Sequence, residues 1–127
     1  MAPGMSVSIL VVDDEPEIGE ILEMLLTHVG HEVRVATNGD SALRLARAAP
    51  VDLIITDIFM PGKEGIETIM EIRRDLPSVK IIAMSGGGHT GELNYLRDAV
   101  QLGAVRTLLK PFGNAEILEA VRAALGA

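Results

Sequence analysis

Apolar residues along the chain fall into two alternating rhythms. Short runs of strand length occupy Ser8 to Val12, Glu32 to Ala36, Leu53 to Thr56, Lys80 to Met84 and Val105 to Leu109, and most do not alternate with polar residues, as expected of strands covered on both faces. Between them the period changes to that of a helix. Ile18, Ile21, Leu22, Leu25, Leu26 and Val29 follow one stripe, and shorter stripes run through Ile66, Ile69 and Met70 and through Ile117, Leu118, Val121 and Leu125. Two further helices are expected, from Ser41 to Ala49 and from Gly91 or Glu92 to Leu102, with Gly30 and Gly103 as terminators. Five strand–helix units in succession predict one α/β domain, a doubly wound parallel sheet with helices on both faces.

In such sheets the ligand site lies beyond the carboxyl ends of the strands, where strand order reverses. The residues following the apolar runs are therefore the ones to inspect. They are Asp13 and Asp14 after the first run, Asp57 after the third, Ser85 after the fourth and Lys110 after the fifth. Adjacent carboxylates repel, by roughly 3 kcal/mol for unit charges about 5 Å apart at an effective dielectric near 20, so Asp13, Asp14 and the neighbouring Glu15 call for an offset. An all-oxygen nest of carboxylates suits Mg²⁺, and a hydroxyl and an ammonium on neighbouring strands suit a phosphoryl group bonded to one of them.

Each residue also has a plain structural reading. Asp14 with Glu17 and Pro16 fits a capping box at a helix start; Asp57 fits an Asx turn, Ser85 a loop hydroxyl and Lys110 a snorkelling side chain. Chance explains one of these more easily than groups suited to one chemistry at four strand ends. Other candidates carry less. "SGGGHTGE" lacks the Lys-Ser/Thr end of a phosphate-binding P-loop, so Gly86 to Gly88 read as mobile backbone. His28 and His31 lack further metal ligands, and Met60, Met70 and Met84 read as core gap-fillers.

Composition narrows the class. The chain has 127 residues, 48% of them hydrophobic, with no Trp, one Tyr and two Phe, so its core must be aliphatic. Zero Cys excludes a disulfide framework and thiolate metal sites. The net charge of -7 argues against direct nucleic-acid binding, which needs clustered Lys and Arg. No apolar stretch approaches a membrane span and "MAPGMSVS" lacks the features of a secretory signal, which favours a cytoplasmic protein without membrane partners.

"VVDDEP", "DIFMPGKEG", "AMSG" and "LLKPF", in this order, resemble the receiver domain of two-component response regulators, the chemotaxis-regulator-like fold. The resemblance implies a flavodoxin-like sheet of order 2-1-3-4-5 over residues 1–127, with 1–6 a flexible segment. It implies that Asp57 accepts a phosphoryl group from a histidine kinase or a histidine phosphotransfer protein. Asp14 and Asp57 would be Mg²⁺ ligands, with Asp13 acting largely through water and the backbone carbonyl of Phe59 completing the set. Lys110 would pair with the phosphoryl oxygens, and Ser85 would hydrogen-bond one of them. The kinase would dock on the first helix and the loop after Lys110, including Phe112. A downstream protein would read the face formed by the fourth helix, fifth strand and fifth helix.

One departure stands out. Thr107 occupies the position where the family couples phosphorylation to an aromatic ring, which shifts the expected switching onto Ser85 and the segment from Gly86 to Gly91. Such a protein is a signalling switch that catalyses only its own phosphoryl transfer and dephosphorylation. Two other classes stay in view. A Mg²⁺-dependent phosphohydrolase with an Asp nucleophile would place a second Asp where Phe59 stands, and an FMN carrier would need stacking aromatics and a less acidic rim. The chain ends in one amphipathic helix, which fits either a stand-alone receiver or a piece of a longer protein.

Overall fold

The computed structural model describes residues 7–58, 65–86 and 92–126, with the backbone alone described for 92–96. The strands are β1 (Ser8–Val12), β2 (Glu32–Ala36), β3 (Leu53–Asp57), β4 (Lys80–Ser85) and β5 (Arg106–Leu109); the helices are α1 (Pro16–His28), α2 (Gly39–Ala48), α3 (Gly65–Asp75), α4 (Glu92–Gln101) and α5 (Asn114–Leu125). All pairings are parallel, in the order β2-β1-β3-β4-β5. This is the flavodoxin-like arrangement, with strand order reversing between β1 and β3.

Successive residues of one strand point to opposite faces of the sheet, and both faces are covered. Leu10, Val12, Ile54, Ile81 and Ala83 pack against Ala42, Leu43 and Ala46 of α2, Ile69 and Ile72 of α3 and Ala99 of α4. Ile9, Val11, Ile55, Ile82 and Met84 pack against Leu22 and Leu26 of α1 and Ile117, Ala120 and Val121 of α5. The central strands consequently read as unbroken apolar runs in the sequence.

Helix boundaries follow local chemistry. Asn38 caps α2 by accepting the Ser41 N–H at 2.8 Å. Glu116 Oε1 accepts the Gly113 N–H at 3.1 Å at the start of α5. Gly30 and Gly103 follow α1 and α4 with φ of 102° and 115°, a left-handed conformation that favours glycine at such ends. At the start of α1 the sequence reading needs correction. Pro16 is its first residue, but the cap is Glu15, with no side-chain cap bond, so Asp14 and Glu17 form no capping box.

Three apolar positions also lie outside the faces predicted for them. Ile21 of α1 is 53% exposed, Val29 just beyond it 46%, and Met70 of α3 52%. On α1 the buried line runs through Gly19, Leu22 and Leu26, where Gly19 is needed because a Cβ there would stand 2.8 Å from Val35 Cγ1. On α3, Thr68, Ile69 and Ile72 occupy the buried positions and leave Met70 outside. Met84 does fill the core, fully buried, and Met60 lies outside the described residues.

Candidate functional site

The carboxyl ends of β1 and β3 sit side by side at the reversal point, and each delivers an acid. Asp13 follows β1, its N–H donating to the Ala36 carbonyl at 3.1 Å. Its side chain is fully buried, and both carboxylate oxygens are engaged: Oδ1 accepts the Glu15 N–H at 2.9 Å and Oδ2 accepts from Lys110 Nζ at 2.7 Å. Asp57 ends β3 and is held by backbone on two sides. The Ile58 N–H donates to the Met84 carbonyl at 3.0 Å, and the Gly65 N–H donates to the Ile58 carbonyl at 3.3 Å. No side chain fits at position 65, since a Cβ there would lie 2.3 Å from the Asp57 carbonyl oxygen and 2.4 Å from Ile58 Cα.

Lys110 joins these strands. Its ammonium reaches Asp13 Oδ2 at 2.7 Å, Asp57 Oδ2 at 3.1 Å and Glu15 Oε1 at 3.3 Å, and its backbone N–H donates to the Ser85 carbonyl at 2.7 Å. Ser85 is fully buried at the end of β4, beside β3 in a register that pairs Met84 with Asp57. The structure thus brings Asp13, Asp14, Asp57 and Lys110 together, with Ser85 at the adjoining strand end. Phe59 lies outside the described residues, as do positions 87–91 of the predicted switching segment.

Glu15 is the residue the sequence reading left out of the site. Asp13, Asp14, Glu15 and Asp57 each offer a carboxylate oxygen, all within 4.8 Å of one another, and they form the one such metal-capable group among the described residues. Neither His28 nor His31 takes part. The signal was present in the unbroken acid run Asp13-Asp14-Glu15, whose third member was counted as charge without being counted as a participant.

Charge in this group is unequally shared, because several carboxylates surround one ammonium. Burial pushes the Asp13 carboxyl above its ordinary value; the Lys110 contacts and the Glu15 N–H only partly oppose that, and the Glu15 charge adds to it. Burial alone would push Lys110 down, but the hydrogen bond to Asp13 and the charges of Asp57 and Asp13 outweigh it and raise Lys110 above its ordinary value. One ammonium is thus shared among three carboxylates.

Beside the cluster lies a groove of about 510 Å³ lined by Glu15, Ile18, Ile21, Leu22, Lys110 and Phe112 among others. A larger one, about 850 Å³, is lined by Ser8, Glu23, Thr27, His31, Arg34 and Asp52 at the opposite, amino end of the sheet, so it cannot serve these groups.

A flavodoxin-like sheet thus carries an acid cluster at its reversal point and a lysine from the end of β5. Residues 9–122 match the response regulator receiver domain family, and the chain belongs to that family. It is 34% identical over 108 residues to the transcriptional regulatory protein MalR of Bacillus subtilis, covering 84% of this chain and 45% of that protein. It is 36% identical over 118 residues to the DNA-binding transcriptional regulator NtrC of Azospirillum brasilense, covering 93% of this chain and 24% of that protein. The chain therefore spans less than half the length of either relative. Among solved structures, a receiver domain protein from Clostridium thermocellum is 30% identical with a TM-score of 0.86, covering 94% of both chains. Receiver domains are signalling switches that work with histidine kinases and effector domains. Among the described residues no helix is long and apolar enough to cross a membrane.

Proposed function

We propose that this chain is a phosphoacceptor receiver in which Asp57 takes a phosphoryl group from a histidine kinase or a histidine phosphotransfer protein. The observation that carries the reading is the Lys110 ammonium, which touches both Asp13 and Asp57 although the three residues come from separate βα units. An Asx turn at Asp57 or a snorkelling Lys110 gives no reason for that convergence.

The donor set is hard and all-oxygen, which fits a small divalent cation such as Mg²⁺. Asp13, Asp14 and Asp57, with the Phe59 carbonyl, would hold it. When bound, Mg²⁺ supplies charge neutralisation between carboxylates and phosphoryl oxygens.

The chain's own residues do the rest. Asp57 attacks from the end of a buried strand, pinned by Ile58 and Gly65, so its oxygen is oriented before a donor arrives. As its oxygen bonds to phosphorus, the donor's bond to phosphorus breaks, and the leaving imidazole nitrogen keeps that electron pair. Lys110, whose pKa lies above the ordinary lysine value, remains an ammonium throughout and donates to the new phosphoryl oxygens. The Ser85 hydroxyl holds another of those oxygens.

For the donor's docking surface we infer α1 and the segment around Phe112, because the groove lined by Glu15 and Lys110 opens between them. For the output surface we infer α4, β5 and α5, where Val100, Val105 and Leu109 are about half exposed (52%, 45% and 47%). Incubation with acetyl phosphate and Mg²⁺ followed by intact-mass measurement tests the central claim. One phosphoryl group per chain is expected in the wild type and none in Asp57→Asn. Persistent labelling of that variant would move the acceptor elsewhere, and continuous hydrolysis of phosphate monoesters would instead identify a phosphohydrolase.

A further inference from the structure

A lysine ammonium has three N–H donors, and here all three have a carboxylate within reach: Asp13 at 2.7 Å, Asp57 at 3.1 Å and Glu15 at 3.3 Å. A phosphoryl group arriving on Asp57 needs one of them. Asp13 and Asp57 hold theirs from strand ends with 0% and 7% side-chain exposure, whereas Glu15 is 63% exposed and can pass into water most readily.

The Glu15 side chain takes no part in capping the helix that it begins. Glu15 is the N-cap of α1, with extended backbone (φ -91°, ψ 108°), yet makes no side-chain cap bond. The helix start is served instead by its carbonyl, which accepts the N–H groups of Ile18 at 3.1 Å and Gly19 at 3.3 Å. The carboxylate is turned toward Lys110 and lines the groove beside Phe112. A phosphodonor entering by that groove meets a negative charge and a lysine that is already occupied.

We propose that Glu15 is a positioning residue that restrains phosphorylation of Asp57, by holding one N–H of Lys110 at the groove and by repelling anionic donors there. The inference rests on the phosphoacceptor reading above. In the step concerned, an Asp57 oxygen bonds to phosphorus as the bond from phosphorus to the acetate oxygen of acetyl phosphate breaks, and acetate leaves with the electron pair. With phosphoramidate the phosphorus–nitrogen bond breaks and ammonia leaves.

The test compares wild type, Glu15→Gln and Glu20→Gln at saturating Mg²⁺, with initial labelling rates read by intact mass. Glu15→Gln is expected to react about threefold to tenfold faster with acetyl phosphate, a dianion. With phosphoramidate, a monoanion near neutral pH, the gain is expected to stay below about threefold, and added salt should shrink both gains. Glu20→Gln removes the same charge from the exposed side of α1 and is expected within about 1.5-fold of wild type. An unchanged or slower Glu15→Gln, or the same gain in Glu20→Gln, would overturn the proposal; equal gains with both donors would overturn its repulsion half and support the held lysine N–H as the restraint. Wild-type protein that takes no label overturns the phosphoacceptor reading and this inference together, while labelled wild type with an unaltered Glu15→Gln overturns only this one.

Discussion

Lys110 shows how much one side chain can carry at this site. It is the cation shared by Asp13, Asp57 and Glu15, so removing it takes an ammonium away from two buried carboxylates. Lys110→Met is expected to lower stability by about 1–3 kcal/mol in metal-free buffer, with part of the loss recovered on adding Mg²⁺, as urea unfolding would measure. Asp13 behaves oppositely. Its folded-state pKa is raised above 3.8, so the folded protein binds its proton more readily than the unfolded chain does. The contribution of Asp13 to stability should therefore fall as pH rises from about 3.8 through the raised value. Asp13→Asn should then unfold at higher urea concentration near pH 7, with the advantage shrinking in acid. Metal-free unfolding curves across that pH range check the sign.

At the scale of elements, the short links between strand ends and helices matter most. Gly65 lets α3 begin against the backbone of Asp57, and its replacement forces apart atoms that a Cβ would approach to 2.3 Å. Gly65→Ala is expected to cost about 2 kcal/mol or more and to slow labelling of Asp57, since the strand end that aims the nucleophile must move. Denaturation and acetyl phosphate kinetics on the same sample test both parts. Asn38 is a milder case, and Asn38→Ala should cost about 1 kcal/mol through loss of the α2 cap, without changing labelling. Between α2 and α3, Arg47 and Arg74 both pair with Asp75 and hold its carboxyl at about 2, below the ordinary 3.8. What this contact contributes is fully present above pH 3.8 and disappears as pH falls through about 2. The stability difference between wild type and Asp75→Asn, followed by unfolding against pH, should vanish in that window.

The molecule as a whole is one sheet with an aliphatic layer on each face, and that much could be read in the chain. Strands covered on both sides leave unbroken apolar runs, so all five appeared within a residue of their ends. Helix faces were less legible. Ile21 and Met70 have the right period but point outward, because periodicity counts apolar positions without knowing which neighbour covers them. Gly19 and Gly65 carry no local signal of the close approaches that require them; those depend on the Val35 side chain of the neighbouring strand and on the backbone of Asp57 and Ile58 at the end of β3. At the site, the pattern of strand ends picked out the acids and Lys110, yet it assigned relief of their repulsion to a metal ion alone. The lysine's reach back to Asp13 and Glu15, 97 and 95 residues earlier, depends on the strand order of the assembled sheet.

The absence of tryptophan from this aliphatic interior has a use. Phe112 stands at the groove beside Lys110, so a single indole put in its place would be the chain's sole emitter under red-edge excitation. Its fluorescence could follow donor docking and the filling of the acid cluster in real time, with no background from the rest of the protein.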